Sequence, residues 1–167
     1  MSDIVERLVN QYGLLLCVEC GKCVAVCPMG RIFDDFSHEV SPRGVVKRAL
    51  SGLEVLKHVG IWFCLTCDLC TELCPAGVRF RDFVEAARRL TVEAGVAEYG
   101  AFCRGCGVYL WPQHTVEYLG RVLGEAAEGL LALCPRCRRF GFGEKVKALA
   151  PGGRKVRVQE TQVRDER

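Results

Sequence analysis

Cysteine is the residue type here whose number and spacing can do chemistry, and the chain has twelve of them. They fall at Cys17, Cys20, Cys23 and Cys27, at Cys64, Cys67, Cys70 and Cys74, at Cys103 and Cys106, and at Cys134 and Cys137. The first two groups share the spacing C-x2-C-x2-C-x3-C, and each runs into a proline, Pro28 or Pro75. The last four form two C-x2-C pairs separated by 27 residues. Thiols can cross-link, exchange electrons as a dithiol pair, or bind metal. A disulfide framework suits a short secreted chain, but Met1-Ser2-Asp3-Ile4 lacks the basic segment of an export signal. Cysteines three apart also converge on a common point, which is poor geometry for bridging each other. A thioredoxin-like pair belongs on a strand-to-helix turn. Cys134-Pro135-Arg136-Cys137 has that form, yet the second pair upstream gives it metal-site spacing. Metal ligation is the reading that leaves no cysteine over.

The repeated four-cysteine run with its proline is the one that holds [4Fe–4S] clusters in two-cluster ferredoxins, where the fourth cysteine ligates the other cluster. Three thiolates two residues apart can wrap one face of a cube. The fourth, carried past that face and turned by the proline, reaches across. On that rule Cys17, Cys20, Cys23 and Cys74 hold one cluster, and Cys64, Cys67, Cys70 and Cys27 hold the second. The chain crosses itself, and the clusters supply a core that so small a unit otherwise lacks. An adenosylmethionine radical enzyme needs C-x3-C-x2-C with one iron left open, and neither group has that spacing. The clusters are therefore expected to carry electrons, with no substrate site in this chain.

Cys103, Cys106, Cys134 and Cys137 have the form of a zinc ribbon, in which a four-thiolate ion staples a segment too small to fold alone. The pairs are also similar to those of rubredoxin, where iron takes the same four sulfurs. Between the pairs, however, this sequence reads as a helix through Val116, Leu119, Val122 and Leu123. Structural zinc is the expected occupant, with rubredoxin-type iron as the alternative. His114 is expected to be a surface or capping residue, and His38 and His58 to be solvated or packed.

The elements that must position these thiols are mostly helical. Ser41-Pro42 reads as an N-cap with proline at the first helical position. After it Val45, Val46, Ala49, Leu50, Leu53 and Leu56 form one apolar stripe. Past the second motif Phe80, Phe83, Ala87, Leu90 and Ala94 repeat the pattern, with Arg81, Asp82, Glu85, Arg88 and Arg89 on the opposite face. Ser2 is a candidate cap for a first helix burying Ile4, Val5, Leu8 and Val9. Half the residues are hydrophobic and 26% are charged, as in a globular protein. No run approaches the roughly 18 apolar residues of a membrane span, so a cytoplasmic protein is expected. The net charge of +3 is too weak to argue for nucleic acid. It is uneven, with a balance of −2 over residues 1–100 and +5 over 101–167. Arg136, Arg138, Arg139, Lys145 and Lys147 gather near the last pair, where an acidic surface of a neighbouring protein is the expected counterpart.

Cys17-Val18-Glu19-Cys20-Gly21-Lys22-Cys23 with Cys27-Pro28, Ser41-Pro42-Arg43 opening a helix, Ile61-Trp62-Phe63-Cys64-Leu65-Thr66-Cys67, and Cys74-Pro75-Ala76-Gly77-Val78 together resemble the two-cluster iron–sulfur subunits of heterodisulfide reductases. The likeness covers roughly the first 95 residues. It implies the α-helical ferredoxin fold, shared with the iron–sulfur subunits of succinate dehydrogenase and anaerobic glycerol-3-phosphate dehydrogenase. It also implies an electron relay between a flavin-containing subunit and a catalytic subunit that reduces or forms a disulfide. The same kind of subunit recurs in sulfur-oxidising assemblies. Plain members of that family end soon after the last helix, whereas this chain continues with four more cysteines.

The expected architecture is mainly α. Residues 1–98 form an α-helical ferredoxin domain with two [4Fe–4S] clusters, 99–150 a zinc-ribbon-like domain, and 151–167 a basic tail. The alternatives are the iron–sulfur subunit of a membrane-associated dehydrogenase, which reaches the membrane only through its partners, and a cluster-containing nucleic-acid-binding regulator.

Overall fold

The computed structural model describes residues 3–124 and 127–149. Ser2, as a cap of the first helix, and the tail 151–167 lie outside the described residues.

Helix α1 (Asp3–Gln11) turns its buried face, Val5, Leu8 and Val9, onto the core, while Ile4 stays exposed. A 3-10 turn at Leu14–Leu16 leads into the first cysteine loop, which ends in α2 (Lys22–Ala25) and α3 (Met29–Ile32). Helix α4 (Pro42–Leu50) begins at the expected cap. The Ser41 hydroxyl accepts the Gly44 N–H at 3.1 Å and donates to the His38 carbonyl at 2.5 Å. The chain passes so close here that a Cβ on Gly44 would overlap the His38 carbonyl oxygen. The apolar stripe ends earlier than its spacing suggests. Leu53 N–H bonds back to the Arg48 carbonyl and closes the helix, leaving Leu50 and Leu53 exposed and Leu56 half-buried.

The second half repeats the first. α5 (Gly60–Phe63) leads into the second cysteine loop as the 3-10 turn led into the first, and α6 (Leu69–Glu72) corresponds to α2, against which it packs. Helix α7 (Phe80–Glu93) closes the core with Phe80, Phe83, Val84 and Ala87. These meet α1 and α4 in one apolar cluster that includes Ile61 and Trp62. Burying a side chain such as Phe83 contributes about 1.5–3 kcal/mol. Leu90 is half-buried and Ala94 exposed, so the inner face of α7 is carried instead by Val84, Arg88 and Thr91. The burial of Arg88 corrects its expected place on the solvent face.

Beyond α7 the chain makes a two-stranded antiparallel hairpin, β1 (Gly100–Phe102) and β2 (Tyr109–Pro112). It pairs Gly100 with Pro112 and Ala101 with Trp111, and the register shifts before Phe102 meets Tyr109. The helix expected between the last two cysteine pairs is present as α8 (Gln113–Leu123), followed by α9 (Glu128–Leu131) and α10 (Pro135–Leu149). Tyr118 of α8 packs on a second apolar cluster of Met29, Phe33 and Phe63. No helix among the described residues is long and apolar enough to cross a membrane.

Candidate metal centres

Each cysteine loop takes a backbone course that side chains rarely adopt. Glu19 and Gly21 flank Cys20 with φ of 53° and 78°, and Thr66 and Asp68 flank Cys67 with φ of 54° and 70°. The same two steps of the repeat are left-handed in both copies. Such conformations cost about 1–3 kcal/mol in a residue with a side chain, and they gather at functional sites. What they provide here is a concave run of amides, the kind of nest that surrounds iron–sulfur groups. Thr66 N–H donates to Cys64 Sγ at 3.3 Å, and Val78 N–H donates to Cys74 Sγ at 3.4 Å.

Two apolar cavities lie side by side behind these loops. Cys17, Cys20, Cys23 and Cys74 line the first. Cys27, Cys64, Cys67 and Cys70 line the second. The second cavity thus gathers three cysteines of its own motif and the last cysteine of the other, and the first does the same with Cys70 added. Cys70, Pro42 and Phe80 line both and form the wall between them. Burial pushes the Cys23, Cys27 and Cys64 thiols up, and it pushes Cys70 up to about 12. Desolvated thiols in that state are poor nucleophiles but good metal ligands, because coordination to a cation removes their protons outright.

Charged side chains frame the two cavities in parallel ways. Arg43, at the first, holds Glu19 at 2.7 Å, and that hydrogen bond keeps the Glu19 carboxyl below its usual range. Arg81, at the second, holds Asp68 at 2.8 Å and Asp82 at 3.1 Å. Among the described residues one charged side chain is buried. The Arg88 side chain, 7% exposed, donates from Nε to the Ile61 carbonyl at 2.7 Å and from its guanidinium to the Cys64 carbonyl. It lies 5.7 Å from the centre of the Trp62 ring. Sequence reading missed Arg88. The available signal was its position in α7, one residue after Ala87, four after Val84 and three before Thr91, within the arc those residues bury.

The last four cysteines form a different kind of site. The sulfurs of Cys103, Cys106, Cys134 and Cys137 all lie within 4.8 Å of one another, and Cys106 and Cys134 are 3.6 Å apart. A tetrahedral ion with metal–sulfur bonds of about 2.3 Å sets its sulfurs about 3.8 Å apart. The four therefore fit a single ion. Among the described residues no other group of three or more ligating side chains is so tight, so the cysteines of the two cavities are not spaced for one ion. Cys103 and Cys106 sit in the turn between β1 and β2, where Cys103 N–H reaches the Val108 carbonyl at 2.8 Å and Gly107 N–H returns to the Cys103 carbonyl at 2.8 Å. The second pair departs from a ribbon. Cys134 precedes α10 and Cys137 lies in its first turn, which Pro135 starts. Cys134 N–H donates to Cys103 Sγ at 3.2 Å. This bond leads in pulling the Cys103 thiol down to about 6, while hydrogen bonds with Cys106 and Cys134 push Cys137 up to about 12. Four thiolates this close repel, and a divalent cation removes the conflict. Gly105 allows the approach, since a Cβ there would stand 3.0 Å from Cys137 Sγ.

The three histidines lie apart from these sites. His114 does not ligate the four-cysteine site. Its ring packs 4.3 Å from Phe63 and 6.2 Å from Phe33, in the contact between α8 and the helical part. His38 is exposed, and His58 Nδ1 accepts the Gly60 N–H at 3.1 Å.

Residues 13–78 match the model of the 4Fe-4S dicluster domain family. The matched span contains both cysteine loops and most of the lining of both cavities. The match supports an iron–sulfur, ferredoxin-like protein over that span, and beyond it lies a further cysteine group that could bind a metal. No curated protein matches it.

Proposed function

We propose that this chain is the electron-transfer iron–sulfur subunit of a heterodisulfide-reductase-like complex, relaying electrons between a flavin subunit and a catalytic disulfide/thiol subunit. Cys17, Cys20, Cys23 and Cys74 ligate one [4Fe–4S] cluster, and Cys64, Cys67, Cys70 and Cys27 ligate the other. Cys103, Cys106, Cys134 and Cys137 hold zinc. The observation that carries this reading is the crossed gathering of the eight cysteines around two adjacent cavities, with Cys74 at the first, Cys27 at the second and Cys70 lining both.

A bound cluster supplies one-electron exchange, and the chain supplies its setting. The nests at Cys20 and Cys67 direct amides at negative sulfur. The apolar walls keep water from Cys70 and shield the half-buried thiolates, and shared Cys70, Pro42 and Phe80 keep the two sites in contact. Cys20 and Cys67 are themselves exposed, and Leu15, Leu16 and Val18 stand open beside Cys17. These are the edges at which a docked protein would come within reach. The basic balance of residues 101–167 favours an acidic docking surface by charge complementarity.

The test is metal and sulfide analysis of the anaerobically purified chain, with identification of proteins that co-purify under native conditions. About eight irons and eight sulfides follow from two four-iron clusters, with about one zinc from the four-thiolate site. A flavoprotein and a thiol–disulfide catalytic subunit are expected to come with it. A flavin dehydrogenase with a quinone-reactive membrane anchor would instead assign the chain to a membrane dehydrogenase. A ninth iron in place of zinc would make the C-terminal site a redox centre.

A further inference from the structure

We propose that Arg88 is the fixed countercharge of the second cluster, and that it makes this cluster the higher-potential member of the pair. The inference rests on the two-cluster reading above and concerns a positioning residue that acts through Cys64.

The argument begins with an unbalanced charge. A buried cation is costly unless an anion or a set of hydrogen bonds offsets it. Arg43 and Arg81, beside the two cavities, each meet a carboxylate within 2.8 Å. Arg88 is more buried than either and has no carboxylate within ion-pair distance among the described residues. Its hydrogen-bond partners are two main-chain carbonyls, one of them that of Cys64, a cysteine of the second cavity. Trp62 offers a ring 5.7 Å from the guanidinium. An arginine stays protonated in proteins, so the positive charge persists. The anion that would balance it is a thiolate-ligated cluster at Cys64.

The repeat provides an internal control. The two loops match in backbone conformation, in their short helices and in their paired arginine–carboxylate contacts. Two cations break the match: Lys22 at the first cavity is exposed and screened by water, so Arg88 is the buried difference. Reduction adds negative charge to a cluster, and a buried positive charge favours that state in proportion to its proximity. An electron shared between the two sites therefore rests on the one at Cys64.

The experiment is a potentiometric titration of the anaerobic full-length chain, followed by electron paramagnetic resonance, with iron and sulfide counted on every sample. Cys20→Ser perturbs the first site and so assigns the couples in the otherwise wild-type chain. The couple it leaves in place is expected to be the higher one. Arg88→Gln keeps a donor and removes the charge. It is expected to lower the electron affinity of that couple about tenfold, or 59 mV for one electron, and to leave the other unmoved. Arg88→Lys keeps the charge and should stay near wild type. If the second site proves to be the lower couple, the inference falls whatever the Arg88 variants do. It falls too if the glutamine variant leaves the potential unchanged, or if lysine lowers it as far as glutamine does, since the effect would then belong to hydrogen bonding alone. Fewer than two clusters in the wild-type chain would overturn the two-cluster reading itself, and this inference with it.

Discussion

The ring of Tyr109 meets the ring of Trp62 edge to face, 5.7 Å between centroids and 69° between planes. Trp62 lies in α5, just before Cys64, and Tyr109 opens β2, just after the turn that carries Cys103 and Cys106. Phe102, one residue before Cys103, stands 6.0 Å from Tyr109. A line of three aromatic rings thus ties the four-cysteine site to the helical part. Tyr109 also stands close enough to Arg88 for the guanidinium charge to act on its phenol.

An edge-to-face pair is worth about 0.5–1.5 kcal/mol beyond its area burial. Replacing Tyr109 by Leu keeps apolar bulk and removes the ring, so it is expected to cost the hairpin about 1 kcal/mol. Limited proteolysis reads this as roughly fivefold faster cleavage between residues 99 and 112, with the helical part intact. Unchanged cleavage would show that the hairpin is held by its metal site and α8 alone.

The crossed ligand sets make a prediction that an uncrossed arrangement reverses. If each motif held its own cluster, Cys74→Ser would disturb the site of Cys64, Cys67 and Cys70. With crossing it disturbs the site of Cys17, Cys20 and Cys23, and Cys27→Ser disturbs the other. Serine is a poor substitute for thiolate at iron, so each variant is expected to lose or alter one cluster signal and keep its partner. Paramagnetic resonance of each single variant, compared with that of Cys20→Ser, decides the matter. Cys74→Ser should resemble Cys20→Ser, and a match to Cys67→Ser would refute the crossing.

The iron–sulfur character of the repeated cysteine runs was legible because ligand spacing is local: two residues between successive thiols determine which sulfurs can share a face, whatever the rest of the chain does. The start of α4 was legible for a similar reason, since Ser41 and Pro42 act within one turn. Less legible was whatever depends on a distant partner. Arg88 reads as a surface charge in sequence, because nothing local says that the Ile61 and Cys64 carbonyls will come to meet it. Leu53 and Leu56 continue the helical period of α4, but the chain folds back at Ser51 and Gly52, and the stripe ends with it. The ribbon expectation took both C-x2-C pairs as the same knuckle. Pro135 was the available signal otherwise, since proline suits the first turn of a helix and α10 starts there. His114 read as a surface or capping residue, because its contacts with Phe33 and Phe63 come from elements more than fifty residues away.

Cys137 offers a way to remove the C-terminal metal without touching the paired cavities. It is one of four sulfurs in a site that also depends on the hairpin, and the thiol is pushed up strongly when no cation is present. Cys137→Ser is expected to take the metal at this site from about one per chain to near zero under mild chelation, while iron and sulfide stay at the wild-type level. Loss of iron in step with this metal would mean that the clusters need the extension to assemble.

His58 supplies a pH dependence that is separate from the cysteines. Burial holds its pKa below the ordinary 6.5, Arg48 adds to this, and Glu39 opposes it. The geometry agrees, because Nδ1 accepts the Gly60 N–H and must stay unprotonated to do so. With the folded value below the unfolded one, the unfolded chain takes up the proton first as the pH falls. The stability contributed by neutral His58 is therefore complete above about 6.5 and is lost as the pH drops toward the lower folded value. Asn at this position can accept the same N–H and does not titrate. His58→Asn should therefore narrow the loss of stability between pH 7.5 and pH 5.5, measured as denaturation midpoints of the anaerobic protein at both values. Equal losses in the two proteins would assign the acid sensitivity to other groups and remove His58 from the account.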